Sequence, residues 1–323
     1  MSGRRRGSRK PQVRRAGLLS RFSPSLRLGR RPLVLVRPVF GLGNRLLAIT
    51  SCLAIARLEG LPFAMLWEPG KGFSAAGWNE LFDNDFALIR RDQYEAEIAG
   101  GKPTMSQWFE RVPGRGARLR PGFDPRKWLR SVRKKGFVYD VGFQDLVAVL
   151  RHSGVSLRHR YQSEQRRCCR QLRAAPAIAR EVELFAEAHF QGRGAVGFHI
   201  RRGDTVTGPY SHVYRNSPEA AFVEKMKKVV REAPDARIFL ATDCEVTEAR
   251  MKALFPDRLV TYRKPFVPSV YGDAKEGQCE ALVEMLLLSR TRRVVGTDGS
   301  TFGHVASQIG GVPFEPALLE GWR

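Results

Sequence analysis

Short apolar runs alternate with longer stretches of helical spacing along this chain. Leu33 to Val36 is a continuous β-favouring run that stops before Pro38. Gly41 and Gly43 predict a tight loop after it. Asn44 to Leu58 then repeats apolar residues at helical spacing (Leu46, Leu47, Ile49, Leu53, Ile55, Ala56), with Gly60 as the C-cap. Pro62 to Trp67 reads as the next strand, and strand, loop, helix, strand makes a βαβ unit. From Glu68 to Gly136 the pattern weakens to a short strand near Phe86 to Ile89 and short helices near Thr104 to Arg111 and Pro125 to Val132. Phe137 to Val141 predicts a strand and Gln144 to Arg151 a helix. Residues 153 to 162 are polar and basic, and Ser163 to Phe190 is helical apart from a break at Pro176.

The second half is cleaner. Ala195 to Arg201 predicts a strand, and Ser217-Pro218-Glu219 a helix start with Ser217 as N-cap. Arg237 to Ala241 follows as a strand, Glu245 to Phe255 as a helix and Arg258 to Thr261 as a short strand. Glu276 to Arg290 is a strongly apolar helix, Arg293 to Val295 a strand and Thr301 to Ile309 a helix. No internal repeat is evident. This order predicts an α/β protein of two Rossmann-like domains facing a cleft, 32–190 and 191–323, behind a tail of residues 1–31.

The predicted strand at Ala195 ends in His199-Ile200-Arg201-Arg202-Gly203-Asp204. Arginine is always charged and presents a planar fork of donors suited to phosphate. Ligands of α/β sheets bind where strands end and the chain leaves the sheet. Arg201 and Arg202 are therefore candidates to hold a diphosphate. Val294 to Phe302 runs from strand through a small-residue loop into a helix start, where free N–H groups favour an anion. Ser300 and Thr301 would add hydroxyl donors there, or simply cap the helix. Asp243 in Ala241-Thr242-Asp243 either shapes the same crevice or caps the helix after it. Glu280 and Glu284 lie one turn apart on the apolar helix. A carboxylate can accept from N1–H and the exocyclic amine of guanine, whereas Glu280 reads as a solvated face. Gly41, Gly43, Asn44 and Arg45 form a loop with close backbone approach and donors for sugar or diphosphate, or a bare turn. They do not complete a dinucleotide fingerprint, since position 46 is Leu.

Three of these segments resemble the fucosyltransferase superfamily of alpha-1,2-, alpha-1,6- and protein O-fucosyltransferases. His199 to Asp204 resembles its H-x-R-R-x-D motif, Phe40 to Arg45 its G-x-G-N loop, and Gly299 to Phe302 its Ser-Ser-Phe segment. The ordered trio covers residues 33 to 314. The alpha-1,6 branch, with its bacterial nodulation relatives, fits the later helix best, and the Gly-Leu-Gly-Asn loop resembles the alpha-1,2 branch. The resemblance implies a GT-B architecture and an inverting, metal-independent transfer of fucose from GDP-fucose to a glycan or protein, without a cofactor. It implies that His199 reaches the base, that Glu284 selects guanine where the family commonly has Asp, and that Asp243 and Phe302 line the donor site. The alpha-1,6 branch places a glutamate five residues beyond its motif aspartate, but Pro209 stands there. Asp204 is thus the acid left in the motif, as base or as orienter of the arginines.

Composition narrows the alternatives. At 323 residues the chain has room for two domains of about 150. No run approaches the roughly 18 apolar residues of a membrane helix. Five cysteines (Cys52, Cys168, Cys169, Cys244, Cys279) form no C-x-x-C pair or zinc spacing. They read as buried small hydrophobes in a reducing compartment, which suggests a cytoplasmic protein. The net charge of +23 is uneven. Residues 1 to 31 hold 11 Lys and Arg and no acid, leaving 23 − 11 = +12 for the rest. Such a tail is an organelle transit segment, a basic arm or an unselected start. Two alternatives stand beside the first reading: another nucleotide-sugar donor, and a basic nucleic-acid-binding protein. No interleaving of aromatic and basic residues supports the latter.

Deleting residues 1–31 is expected to leave fold and nucleotide binding intact, because an acid-free, Arg-rich segment has no apolar face to bury. A large drop in melting temperature of the truncated protein would count against this.

Overall fold

The βαβ unit predicted at the start of the chain is present in the computed structural model, which describes residues 31–69, 75–112, 116–140, 146–149, 155–190, 194–202, 216–266 and 275–319. Strand β1 (Val34–Val36), helix α1 (Leu42–Glu59) and strand β2 (Phe63–Met65) follow in that order. The two strands pair in parallel, Val34 opposite Phe63. Strands β3 (Ala87–Leu88) and β6 (Phe137–Tyr139) complete a parallel sheet of order β3-β2-β1-β6. All residues of β1, β2 and β6 are buried, as expected of a parallel sheet covered on both faces. Short helices α2 (Trp78–Leu81), α3 (Arg91–Ala99), α4 (Pro125–Lys135) and α5 (Leu146–Val149) lie between and after these strands. Helix α4 shows why its sequence folds there. Asp124 accepts from the backbone N–H of Arg126 and Lys127, Pro125 opens the helix, and Trp128, Leu129 and Val132 form its buried stripe.

The second sheet is built from β7 (Ala195–Ile200), β8 (Arg237–Thr242), β9 (Leu259–Thr261), β10 (Val294–Gly296) and β11 (Phe314–Pro316). Its order is β11-β10-β7-β8-β9, parallel throughout. Helices α8 (Glu219–Glu232), α9 (Glu245–Leu254), α10 (Lys275–Ser289) and α11 (Thr301–Gly310) connect its strands. The long helical stretch before it divides at Pro176 as predicted, into α6 (Val155–Arg170) and α7 (Pro176–His189). Helix α6 packs on α1 and α11, and α7 on α10. One hydrophobic core therefore runs between the sheets, from Val34 and Ile49 to Met285, Leu288 and Val305. A second core on the far face of the second sheet joins Phe198 and Ile200 to Phe222 and Met226. Among the described residues, no helix is long and apolar enough to cross a membrane.

Several local expectations are corrected. Helix α1 starts at Leu42, so Gly43 lies in its first turn and not in a loop. The helix expected over Thr104 to Arg111 is a 3-10 turn (Met105–Trp108) followed by β4 (Phe109–Val112), which pairs antiparallel with β5 (Gly116–Leu119). The aromatic and β-branched residues at 109 and 112, with Pro113-Gly114 after them, favour a hairpin over a helix. Helix α8 is capped at Pro218 without any side-chain bond, and Ser217 is used elsewhere. Cys52, Cys168 and Cys169 are buried as expected, but Cys244 and Cys279 are only half-buried. Burial holds the Cys168 thiol up at about 12.

Gly136 joins α4 to β6 with φ 67° and ψ −166°, a region open essentially to glycine alone. A Cβ there would lie 2.1 Å from the Leu33 carbonyl oxygen. Gly136→Ala is expected to cost at least about 1–3 kcal/mol of folding stability. Equal denaturant midpoints for variant and parent would refute it.

Candidate functional site

Strand alternation decides where the motif residues point. Successive side chains of a strand face opposite ways. Val196, Phe198 and Ile200 join the core under α8, so Gly197 and His199 face the other layer. A Cβ on Gly197 would meet Leu288 of α10, and the His199 ring stacks on Phe302 of α11 at 4.6 Å and 22°. The same alternation separates the arginines. Arg202 lies over the Phe222 ring of α8 at 5.8 Å and donates Nη2 to the Ser217 carbonyl at 3.1 Å. Arg201 remains about one-third exposed and pairs through Nη1 with Asp243 at 2.7 Å.

The strand end is clamped from both neighbours. Thr297, just past β10, accepts the Arg201 backbone N–H at 3.0 Å, and Thr242 of β8 donates to the Ile200 carbonyl at 2.7 Å. Asp243 accepts the Arg202 N–H at 2.7 Å with one oxygen while its other oxygen holds the Arg201 guanidinium. Asp243 thus orients the arginine pair; the cap position of α9 belongs to Cys244. Burial lowers the Arg202 guanidinium pKa from its ordinary value. Asp204 lies outside the described residues.

The loop after β10 meets the start of α1. Thr301 donates to Asn44 Oδ1 at 2.8 Å. A Cβ on Gly43 would come within 2.8 Å of the Thr301 hydroxyl and 2.9 Å of the Phe302 N–H. Ser300 occupies the N-cap of α11 without a side-chain bond to the helix. Gly41 caps α1 in the same way. Just before it, Phe40 has φ 68°, a conformation rare for a bulky residue and found where structure over-determines the backbone. Arg45 is turned inward. It is 1% exposed, donates Nε to the Phe40 carbonyl and lies over the Trp67 ring at 5.4 Å. Burial lowers its pKa to about 10, and its Nη2 is buried without a partner.

Glu284 projects from α10 into the interior and pairs with Lys264, which follows β9. Desolvation raises the Glu284 carboxyl to about 7 against the opposing pull of Lys264. His199 is driven the other way, to about 3, by burial first and then by the charges of Arg201 and Lys264. It is a neutral ring at physiological pH, and its Nδ1 is buried without a hydrogen-bond partner. The structure therefore joins His199 with Phe302, Arg201 and Arg202 with Asp243, and Gly43 and Asn44 with Thr301. It sets Arg45 aside in the core. Lys264 and Thr297 escaped the sequence reading, since a lone lysine or threonine in a loop carries no spacing signal, and Ser217 was legible only as a helix cap.

Among the described residues, no group of three or more His, Cys, Asp or Glu could hold a metal ion. The sequence does contain one D-x-D triplet that the metal-free expectation passes over, Asp83-Asn84-Asp85. Its central Asn84 is buried, donating to the Gln171 carbonyl at 2.9 Å and accepting from the Arg173 N–H at 2.7 Å. The triplet braces the turn between α6 and α7.

No protein-family model and no curated protein sequence matches the chain. Its fold does match solved structures. Fucosyltransferase NodZ from Bradyrhizobium aligns over 86% of this chain and 93% of its own, with TM-score 0.53 and 18% identity. NodZ alpha-1,6-fucosyltransferase soaked with GDP-fucose gives a TM-score of 0.54 at 16% identity, over 86% and 92% of the two chains. A mutant of Arabidopsis thaliana FUT1 in complex with GDP gives 0.55 at 16% identity, over 88% of this chain and 70% of that one. At these identities the likeness establishes a shared fold.

The raised pKa of Glu284 has a measurable consequence. Between its ordinary value near 4.5 and about 7 the folded state holds a proton that the unfolded state has lost. This stability contribution is fully present below the lower value and disappears as pH rises through the upper one. Relative to Glu284→Gln, the parent is expected to lose on the order of 1–3 kcal/mol from about pH 5 to about pH 8. His199 acts in the opposite sense but equally in both proteins. Parallel denaturant stabilities across that range would contradict the assignment.

Proposed function

We propose that this protein is a glycosyltransferase that moves fucose from GDP-fucose to a glycan or protein acceptor, with inversion and without a metal or cofactor. The observation that carries the reading is the arginine-tipped strand β7, held by Asp243 and lying beside the start of α11, in a fold shared with fucosyltransferases solved with GDP and GDP-fucose. The parallel strands of both sheets end towards the junction of α1 and α11, and we assign the donor cleft there. Residues 32–190 form the acceptor side in this reading and 191–323 the nucleotide side.

Arg201 is assigned to the diphosphate. A guanidinium carries five donors, so the Asp243 contact orients the fork without consuming it. Held in place before reaction, the charge stabilises the negative charge that grows on the leaving GDP. Arg202, braced against Ser217 and Phe222, supports the strand end and adds a second positive charge. Ser300, Thr301 and the Gly41 to Asn44 start of α1 supply further donors along the diphosphate. His199 and Phe302 are assigned to the base, where a neutral ring with an unpartnered nitrogen suits a nucleobase better than an imidazolium. Asp204 is the acid assigned to the acceptor hydroxyl.

The test is the release of GDP from GDP-fucose, read with water as acceptor. Arg201→Lys keeps the charge but loses the planar two-point grip, and its turnover is expected to fall by about 10²–10³. Arg202→Lys should be equally or less affected. Turnover near the parent value in both single variants would overturn the donor-site assignment.

A further inference from the structure

The Lys264–Glu284 pair is unusual in its setting. Both side chains are almost shut off from solvent, 10% and 7% exposed. A buried ion pair is often no more stabilising than apolar residues of the same volume, because desolvating two charges cancels most of their attraction. The pair therefore contributes little to the fold that apolar packing could not. Its position gives it another use. It shares an interior neighbourhood with His199, whose ring is stacked on Phe302 and is acted on by the charge of Lys264.

We propose that Lys264 is a specificity-determining residue that reads the O6 oxygen of guanine, while Glu284 accepts from N1–H and the 2-amino group. The proposal rests on the nucleotide reading above. Guanine presents one acceptor, O6, beside two donors. An ammonium has three donors and no acceptor, and a carboxylate has only acceptors. Lys264 can keep one N–H on Glu284 and offer another to the base. Together the pair presents a donor followed by two acceptors, the complement of the guanine edge. Adenine would set its 6-amino donors against the ammonium and its N1 lone pair against the carboxylate. Uracil would set a carbonyl oxygen against the carboxylate. Glu284 alone would explain guanine over hypoxanthine, which lacks the 2-amino group, and part of guanine over adenine; Lys264 adds the reading of O6 against the 6-amino group of adenine.

The experiment is calorimetric binding of GDP, IDP and ADP to the full chain and to Lys264→Met and Glu284→Ala. In Lys264→Met the preference for GDP over ADP is expected to fall by about ten- to a hundredfold, the range for a hydrogen bond to a charged group. The preference for GDP over IDP should fall less, because the Glu284 oxygens still face the 2-amino group. Glu284→Ala should lose the preference for GDP over IDP. If Lys264 is only a counter-ion, its loss acts through Glu284 alone and both preferences fall by the same factor, which overturns the proposal. Unchanged preferences in Lys264→Met also overturn it. Should that variant fail to fold, Lys264→Met combined with Glu284→Gln removes the unpaired buried charge; a parental preference for GDP over ADP there is the overturning result. A parent protein that does not prefer GDP at all fails the donor reading itself, a separate and recognisable outcome.

Discussion

Gly43 lies against the start of α11 closely enough that a single added carbon would strike the Thr301 hydroxyl and the Phe302 backbone. The neighbouring Asn44 bonds Thr301 across the same seam. Interiors are close-packed and do not yield by an ångström without loss elsewhere. This approach therefore fixes the loop after β1 relative to the loop after β10. Everything placed near the arginines by the second sheet is, through this contact, placed near α1 of the first. The core running from Ile49 to Leu288 holds the seam shut from behind.

At the front of the seam, charges are arranged by burial. Asp243 lies at the strand end and spends both oxygens on the arginines, one on a backbone N–H and one on a guanidinium. Arg201 keeps partial access to solvent. Arg202 is packed on an aromatic ring and serves the scaffold as well as the charge. Deeper in, Glu284 and Lys264 pair, their side chains only 7% and 10% exposed, and His199 is held neutral between a positive neighbour and an apolar wall. Arg45 is the counter-example. It carries the same chemistry as Arg201, yet its guanidinium is inside the first unit, bonded to the strained Phe40.

Much of the frame was legible because it follows from local rules. The β1-α1-β2 unit, the break at Pro176, the strand ending in Arg201 and the apolar helix α10 all follow from hydrophobic period and from the backbone limits of glycine and proline. Less legible were the stretches where pattern is weak. The stretch from Thr104 to Arg111 satisfies the description of a short helix as well as that of a 3-10 turn leading into β4, and Ser217 that of a cap as well as that of a contact with Arg202.

Sequence by itself determined that this is an α/β chain with parallel strands, an arginine pair at a strand end and a small-residue helix start beyond it. Those features depend on residues within a few positions of one another. Tertiary structure alone decided that Arg202 meets Ser217 and Phe222, that Asp243 holds both arginines, that Gly43 is a contact and not a turn, and that Lys264 meets Glu284. Each of these joins residues tens or hundreds of positions apart. Their energies come from burial and from charges brought together in a medium of low polarity, and no local pattern in the chain records which partners will share it.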